Sequence, residues 1–199
     1  MPRSFALTYD YRCPWGRIVH DHVYWGLKGG ADWQVEFTPY CLGQPHIDEL
    51  QSDIWERPED DSGIVALQAS IAVRDTQPTK FLETHHALYE YRHTSNGNLR
   101  NREPLTALIA QNGVDTASMW DEVDSGRPLA TIKSEHTGYA RSHSVWGVPT
   151  FIVGARAVFT RLLTGPNEDS GVGAQTINRI LDDIDWTMLN EFKHTTVAL

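Results

Sequence analysis

Two cysteines, Cys13 and Cys41, are the strongest nucleophiles in the chain. Cys13 runs directly into Pro14-Trp15-Gly16. Proline suits the first turn of a helix, where its missing N–H would be unpaired anyway and its φ is already helical. That places the Cys13 thiol at a helix N-terminus, facing unpaired backbone N–H groups and the positive end of the helix dipole. Such a setting lowers a thiol pKa from about 8.5 into a range of roughly 3.5 to 7.5, and the thiolate is the reactive form. A low Cys13 pKa is therefore expected. Cys41 has two readings. It is a second thiol that reaches Cys13, which needs Cα atoms within about 7 Å, or it is buried and inert, as free cysteines commonly are. Two cysteines are too few for a disulfide scaffold.

Other residue types invite chemistry and are weighed against plainer roles. Nine histidines raise the question of a metal, above all His20 with His22, His85 with His86, and His136 with His143. Without a second cysteine pair or a His-Glu-x-x-His helix, no metal site is expected. Asp10, three residues before Cys13, is either a proton acceptor for the thiol or a polar strand end. The acidic run from Glu56 to Asp61 reads as a solvated loop and helix cap. Of the seven tryptophans, Trp15 follows Cys13-Pro14 and Trp146 precedes Val148-Pro149, and the two could wall a site for a flat substrate. Gly165-Pro166 and Gly171-x-Gly173 are turn signals, because no phosphate-loop lysine accompanies them.

These residues need elements to position them. Ser4 to Tyr11 reads as a strand, and the helix that follows carries Ile18, Val19, His22 and Val23 before stopping at Gly29-Gly30. Trp33 to Tyr40 alternates again, giving a βαβ unit with parallel strands. From 43 to about 145 helical periodicity takes over, with helices expected over 61–75, 79–93, 103–112, 115 to about 125, and 128–143. Asp61 and Ser62 are the candidate caps of the first, and Asn96-Gly97 marks a tight turn. The last helix stacks Leu129, Ile132, His136, Tyr139, Ala140 and His143 in one stripe. Thr150 to Val153 and Arg156 to Leu163 then read as a hairpin around Gly154. A terminal amphipathic helix spans 173–184, and an apolar tail runs from Trp186 to Phe192. At 199 residues the chain is expected to form a single domain, 1–199, with a helical insertion. A formal charge of −9 argues against nucleic acid as a partner. With no apolar run near the about 20 residues that span a bilayer, no membrane partner is expected. The first eight residues lack the features of a secretory signal, so a cytoplasmic protein is expected.

Two local motifs carry a family resemblance. Tyr9-Asp10-Tyr11-Arg12-Cys13-Pro14-Trp15-Gly16 resembles the Asp-x-x-Cys-Pro-Trp-Cys active-site turn of the DsbA family, with Gly16 in place of the final cysteine. Trp146-Gly147-Val148-Pro149-Thr150-Phe151 is similar to the loop that holds that family's cis-proline. Lys133 to Gly138, at its spacing from Val148-Pro149-Thr150, and the tail Trp186 to Lys193 are similar to the actinobacterial mycothiol-dependent nitroreductase branch. The resemblance implies an α/β thioredoxin fold of DsbA type, with the helical insertion between its βαβ and ββα halves. It implies a catalytic turn at Cys13, Pro14, Trp15 and Gly16 facing Pro149, with Val148, Thr150, Trp146 and His136 along the substrate or thiol site. Val148 would offer its backbone to a substrate as a short added strand.

Gly16 is the departure. A dithiol enzyme frees its mixed disulfide by attack of the second cysteine, and Gly16 cannot attack. The resemblance then implies a monothiol oxidoreductase whose mixed disulfide an external low-molecular-weight thiol resolves. That thiol is mycothiol in an actinobacterium and glutathione elsewhere, acting as a co-substrate with no tightly bound cofactor. The partners expected are this thiol and a disulfide or electrophilic substrate, with a homodimer left open. Two alternatives stand beside it. One is an enzyme similar to kappa-class glutathione transferases and 2-hydroxychromene-2-carboxylate isomerases, in which the bound thiol brings its own sulfur. The other is a noncatalytic thioredoxin-like binding module.

Overall fold

In the computed structural model, which describes residues 2–48 and 50–191, strand β1 (Arg3–Tyr9) leads through a short turn into α1 (Pro14–Lys28). Pro14 takes the first helical position, and α1 stops at Gly29 as its periodicity requires. β2 (Trp33–Pro39) returns parallel to β1, with Leu7 opposite Phe37. The insertion contributes α2 (Ile64–Thr76), α3 (Phe81–His93), α4 (Arg102–Ala110), α5 (Thr116–Asp124) and α6 (Arg127–His143). β3 (Thr150–Val153), β4 (Arg156–Phe159) and α7 (Ser170–Asp185) complete the chain. The sheet order is β2-β1-β3-β4, with β3 antiparallel to β1 and β4 antiparallel to β3. No described helix is long and apolar enough to cross a membrane.

Several boundaries differ from those expected, each for a local reason. β4 ends at Phe159, not Leu163: Thr160 N–H still donates in register to the Pro149 carbonyl at 3.1 Å, but Pro149 has no N–H to return, and Leu163 is left exposed. α7 begins at Ser170 because Asp169 takes the cap and accepts from Val172 N–H at 3.0 Å. Neither Asp61 nor Ser62 caps α2, whose N-cap residue is Gly63. In the turn after α3 it is Asn96, not Gly97, that adopts a positive φ of 51°. Phe192 and Lys193, at the end of the apolar tail, lie outside the described residues.

Phe5 to Tyr9 are all buried, so β1 is covered on both faces. The period of two divides its side chains. Leu7 and Tyr9 enter the main core with Val19 and Val23 of α1, Phe151 of β3, and Leu67 and Ile71 of α2. Ala6 belongs to a smaller cluster with Cys13, Tyr40, Val148 and Ile152. α7 lies along α1 so closely that a Cβ on Gly173 would come within 2.8 Å of the His22 carbonyl. Glycine is what permits that approach.

The main core also contains a polar chain that periodicity did not reveal. Tyr11 O–H donates to His85 Nδ1 at 2.8 Å, His85 Nε2–H to His20 Nδ1 at 2.9 Å, and His20 Nε2–H to the Thr8 carbonyl at 3.1 Å. The carbonyl can only accept, so it sets both tautomers once the rings are neutral. Burial keeps them neutral: it pushes His20 down to about 4 and His85 well below its ordinary value. Unfolded histidines gain a proton near 6.5, whereas the native pair refuses it until much lower pH. Stability is therefore full above about 6.5 and falls as pH drops toward 4, by about 1.4 kcal/mol per pH unit for each histidine. Urea unfolding across pH 7 to 4.5 should show this decline, and His85→Gln should make it shallower by one histidine's share. An unchanged slope in that variant would contradict the account.

Candidate active site

Cys13 is the N-cap of α1, with φ −81° and ψ 115°, and its sulfur accepts from Gly16 N–H at 3.3 Å. The same thiol donates to the Val148 carbonyl at 3.4 Å, and the Val148–Pro149 peptide is cis. The proline loop is tied to β1. Thr150 N–H donates to Thr8 Oγ1 at 2.8 Å, and the hydroxyls of Thr8 and Thr150 both donate to the Gly147 carbonyl. Two segments 135 residues apart in sequence thus meet at the sulfur of a cysteine that is only 7% exposed. The low Cys13 pKa expected from the helix N-terminus is not what this arrangement produces. Burial pushes the thiol up, more than the N–H groups of Gly16 and Trp15 pull it down; Asp10 adds to the rise and Arg161 opposes it. The Val148 carbonyl also gives the neutral form a partner, which disfavours ionisation.

Beside Cys13 lies a buried ion cluster. Arg12 holds Asp10 Oδ2 at 2.6 Å through one guanidinium nitrogen and Asp61 Oδ2 at 2.8 Å through another. Asp10 also accepts from the backbone N–H groups of Arg12 and Leu42, and Asp61 from that of Gly63. Asp10 is thus a structural carboxylate whose oxygens are engaged away from Cys13. Asp61 is 4% exposed, so the acidic run is not wholly solvated: its last residue is a core ion. Cys41 is fully buried and donates to Asp61 at 3.4 Å. Burial, then Asp61 and Asp10, push its thiol up to about 12, which leaves it a poor nucleophile. Both cysteines are free.

The backbone has counterparts among solved structures. A thioredoxin-like oxidoreductase from Silicibacter pomeroyi superposes with a TM-score of 0.58 at 18% identity, over 90% of this chain and 86% of that one. The thiol-disulfide exchange protein alpha-DsbA2 from Wolbachia pipientis gives 0.60 at 15%, over 90% and 80%. Pseudomonas aeruginosa DsbA gives 0.56 at 19%, over 90% and 85%. The chain has the DsbA-like thioredoxin fold. No family model matches its sequence, and none of the curated proteins does.

Around the thiol of this DsbA-like fold, the expected residues divide. Trp15 and Trp146 do stand along one edge, but a cation lies between them. Arg161 covers the Trp15 ring at 5.5 Å and the Phe159 ring at 5.2 Å, and Trp146, 64% exposed, packs on Phe159 at 4.5 Å. His136 is buried, stacked on Tyr40 at 4.0 Å and edged by Trp55 at 5.3 Å, and burial pushes it down to about 4. Its Nδ1 and the Trp55 Nε1 have no hydrogen-bond partner among the described residues. Tyr40 shares the small cluster with Cys13 and Val148, so His136 stands one ring behind the thiol pocket. Arg161, Phe159, Trp55 and Tyr89 of α3 were not singled out in the sequence; none shares a local motif with Cys13. Among the described residues no three His, Cys, Asp or Glu side chains converge as metal ligands.

The ion cluster makes a stability prediction. Arg12→Gln leaves two buried carboxylates without their cation, and unfolding in guanidinium should show a loss of about 3–5 kcal/mol. A loss under about 1 kcal/mol would mean that the backbone N–H groups alone hold both aspartates.

Proposed function

We propose that the protein is a thiol-dependent oxidoreductase acting through Cys13 as a monothiol. The observation that carries this reading is the thiol itself, seated on a helix N-terminus against the cis-proline loop, with Gly16 N–H and the Val148 carbonyl both on the sulfur. The likeness to solved thiol-disulfide exchange proteins supports it. The Cys13 thiolate attacks a disulfide RS–SR, forming Cys13–S–SR and expelling RS⁻. An external thiolate then attacks the R sulfur, forming a new disulfide outside the protein and returning Cys13 as thiolate. No second protein thiol takes part: Gly16 has none, and Cys41 is committed to Asp61.

A small thiol, mycothiol or glutathione, is the co-substrate that suits the site. Its sulfur would meet Cys13, its backbone-like amides would pair with Val148, and a carboxylate or sugar would reach Arg161 and the ring edge of Trp15 and Trp146. A cytoplasmic setting, where such thiols are abundant, is part of the same reading.

One observation favours a second reading. Because burial pushes the Cys13 thiol up, a transferase or isomerase similar to kappa-class glutathione transferases would also fit, with the bound thiol supplying the sulfur and Cys13 only donating to it.

Intact and peptide mass spectrometry separates the two. Incubation with oxidised glutathione or oxidised mycothiol should add one thiol at Cys13 and none at Cys41, and a reduced thiol should remove it. Cys13→Ser should abolish both the adduct and disulfide reduction. Retained turnover in Cys13→Ser would overturn the monothiol mechanism in favour of the second reading.

A further inference from the structure

Tyr89 is 2% exposed, and its hydroxyl has no hydrogen-bond partner among the described residues. A buried hydroxyl is unfavourable unless it is paired, so its placement needs a reason. The ring is held by its neighbours: edge-on to Tyr11 at 4.9 Å and to His85 at 5.2 Å, and stacked on His20 at 5.3 Å. Those contacts deliver the O–H to Gly16. A Cβ built on Gly16 would meet Tyr89 Oη at 2.9 Å and Cys13 Cβ at 3.3 Å. The hydroxyl therefore occupies the space that a side chain at position 16 would need, directly beside the Cys13 side chain.

We propose that Tyr89, whose hydroxyl fills the space of the missing second thiol, is a catalytic residue that donates its O–H to the Cys13 thiolate. This rests on the reading of Cys13 as the sulfur that forms mixed disulfides. In the resting protein the thiol gives its proton to the Val148 carbonyl at 3.4 Å. Once ionised, the sulfur has no proton to give and the carbonyl oxygen repels it. It turns toward donors: the N–H groups of Gly16 and Trp15, and the Tyr89 hydroxyl. When an external thiolate attacks the R sulfur of Cys13–S–SR, the bond to Cys13 breaks and its electron pair moves onto the Cys13 sulfur. Tyr89 O–H meets that charge without surrendering its proton, since burial and Cys13 both hold the phenol well above its ordinary pKa. The other charged groups whose fields act on the sulfur are Asp10, which opposes its ionisation, and Arg161, which favours it. Around Tyr89 the titratable neighbours are Tyr9, Tyr11 and Asp10 from β1 and its turn, His20 from α1, and His85 and His93 from α3.

The test compares the pH dependence of Cys13 alkylation, followed by peptide mass, in wild type and Tyr89→Phe. Loss of the donor should raise the Cys13 pKa by about one unit. It should also slow release of a preloaded glutathione adduct by excess thiol by roughly tenfold. Tyr89→Phe removes only an unpaired hydroxyl, so the variant should be at least as stable as wild type. A separate variant pair tests the geometry: on oxidation, Gly16→Cys/Tyr89→Phe should close a disulfide with Cys13 at least about tenfold faster than Gly16→Cys alone. An unshifted alkylation profile, or a markedly destabilised Tyr89→Phe, would overturn the assignment, the latter by showing that the hydroxyl is structurally paired. If wild type forms no adduct at all, the proposed function fails, while the alkylation profile still decides Tyr89.

Discussion

Arg12 is the cation on which the site depends. It sits between Asp10, at the end of β1, and Asp61, 49 residues further on, before α2. Two carboxylates against one guanidinium leave an excess negative charge, and backbone N–H groups of Arg12, Leu42 and Gly63 offset it. Through those contacts the end of β1, the chain after β2 and the approach to α2 are brought to one point. An apolar cluster of the same volume could supply as much stability. It would not set direction in the same way. With Arg12 clamped, the next residue, Cys13, can only leave toward the start of α1 and the proline loop.

At Cys13 two effects act in opposite senses. The helix N-terminus offers N–H groups to an anion, while burial and the Val148 carbonyl favour the neutral thiol. In the resting protein the second effect is the larger, since Cys13 is 7% exposed and Asp10 adds its charge. A closed, neutral thiol suits the monothiol reading proposed for Cys13. With no second cysteine to capture a stray adduct, a sulfur that ionised freely in the resting state would be open to any oxidant that reached it. On the proposed reading, a substrate paired with Val148 engages the carbonyl that now stabilises the neutral form, and so shifts the balance toward the thiolate.

Much of this was legible in the sequence because it is local. Pro14 after Cys13 announced the start of α1, alternation in 4–11 and 33–40 announced the parallel pair, and 3.6-residue spacing located the helices of the insertion. The motif around Val148-Pro149 pointed to the loop that meets the thiol. What stayed hidden is non-local. Asp61 read as a helix cap, because nothing in a window around it reports that Arg12 is its partner. Tyr89 and His85 fall within the segment 79–93 that reads as a helix, and periodicity says that a side chain points inward but not which atom it meets there. The thiol pKa was misread for a related reason: the dipole is a property of α1 alone, whereas the burial that outweighs it comes from the loop that covers the sulfur.

Thr8 ties these layers together through two different atoms. Its carbonyl accepts from His20 and so sets the tautomers of a chain that ends at Tyr11 O–H. Its hydroxyl accepts from Thr150 N–H and donates to Gly147, anchoring the loop whose Val148 carbonyl holds the thiol. β1 lies between β2 and β3, so neither half of that linkage can move without disturbing the strand on which both are built. Tyr89 closes the circuit from the other side, stacked on His20 while its hydroxyl reaches Gly16. The Val148 carbonyl on the sulfur and the Tyr89 hydroxyl at Gly16 are thereby both referred to Thr8, the first through Thr150 and Gly147 and the second through His20. A site with one thiol has little tolerance for misplacement, and a shared rigid reference is how this core limits it.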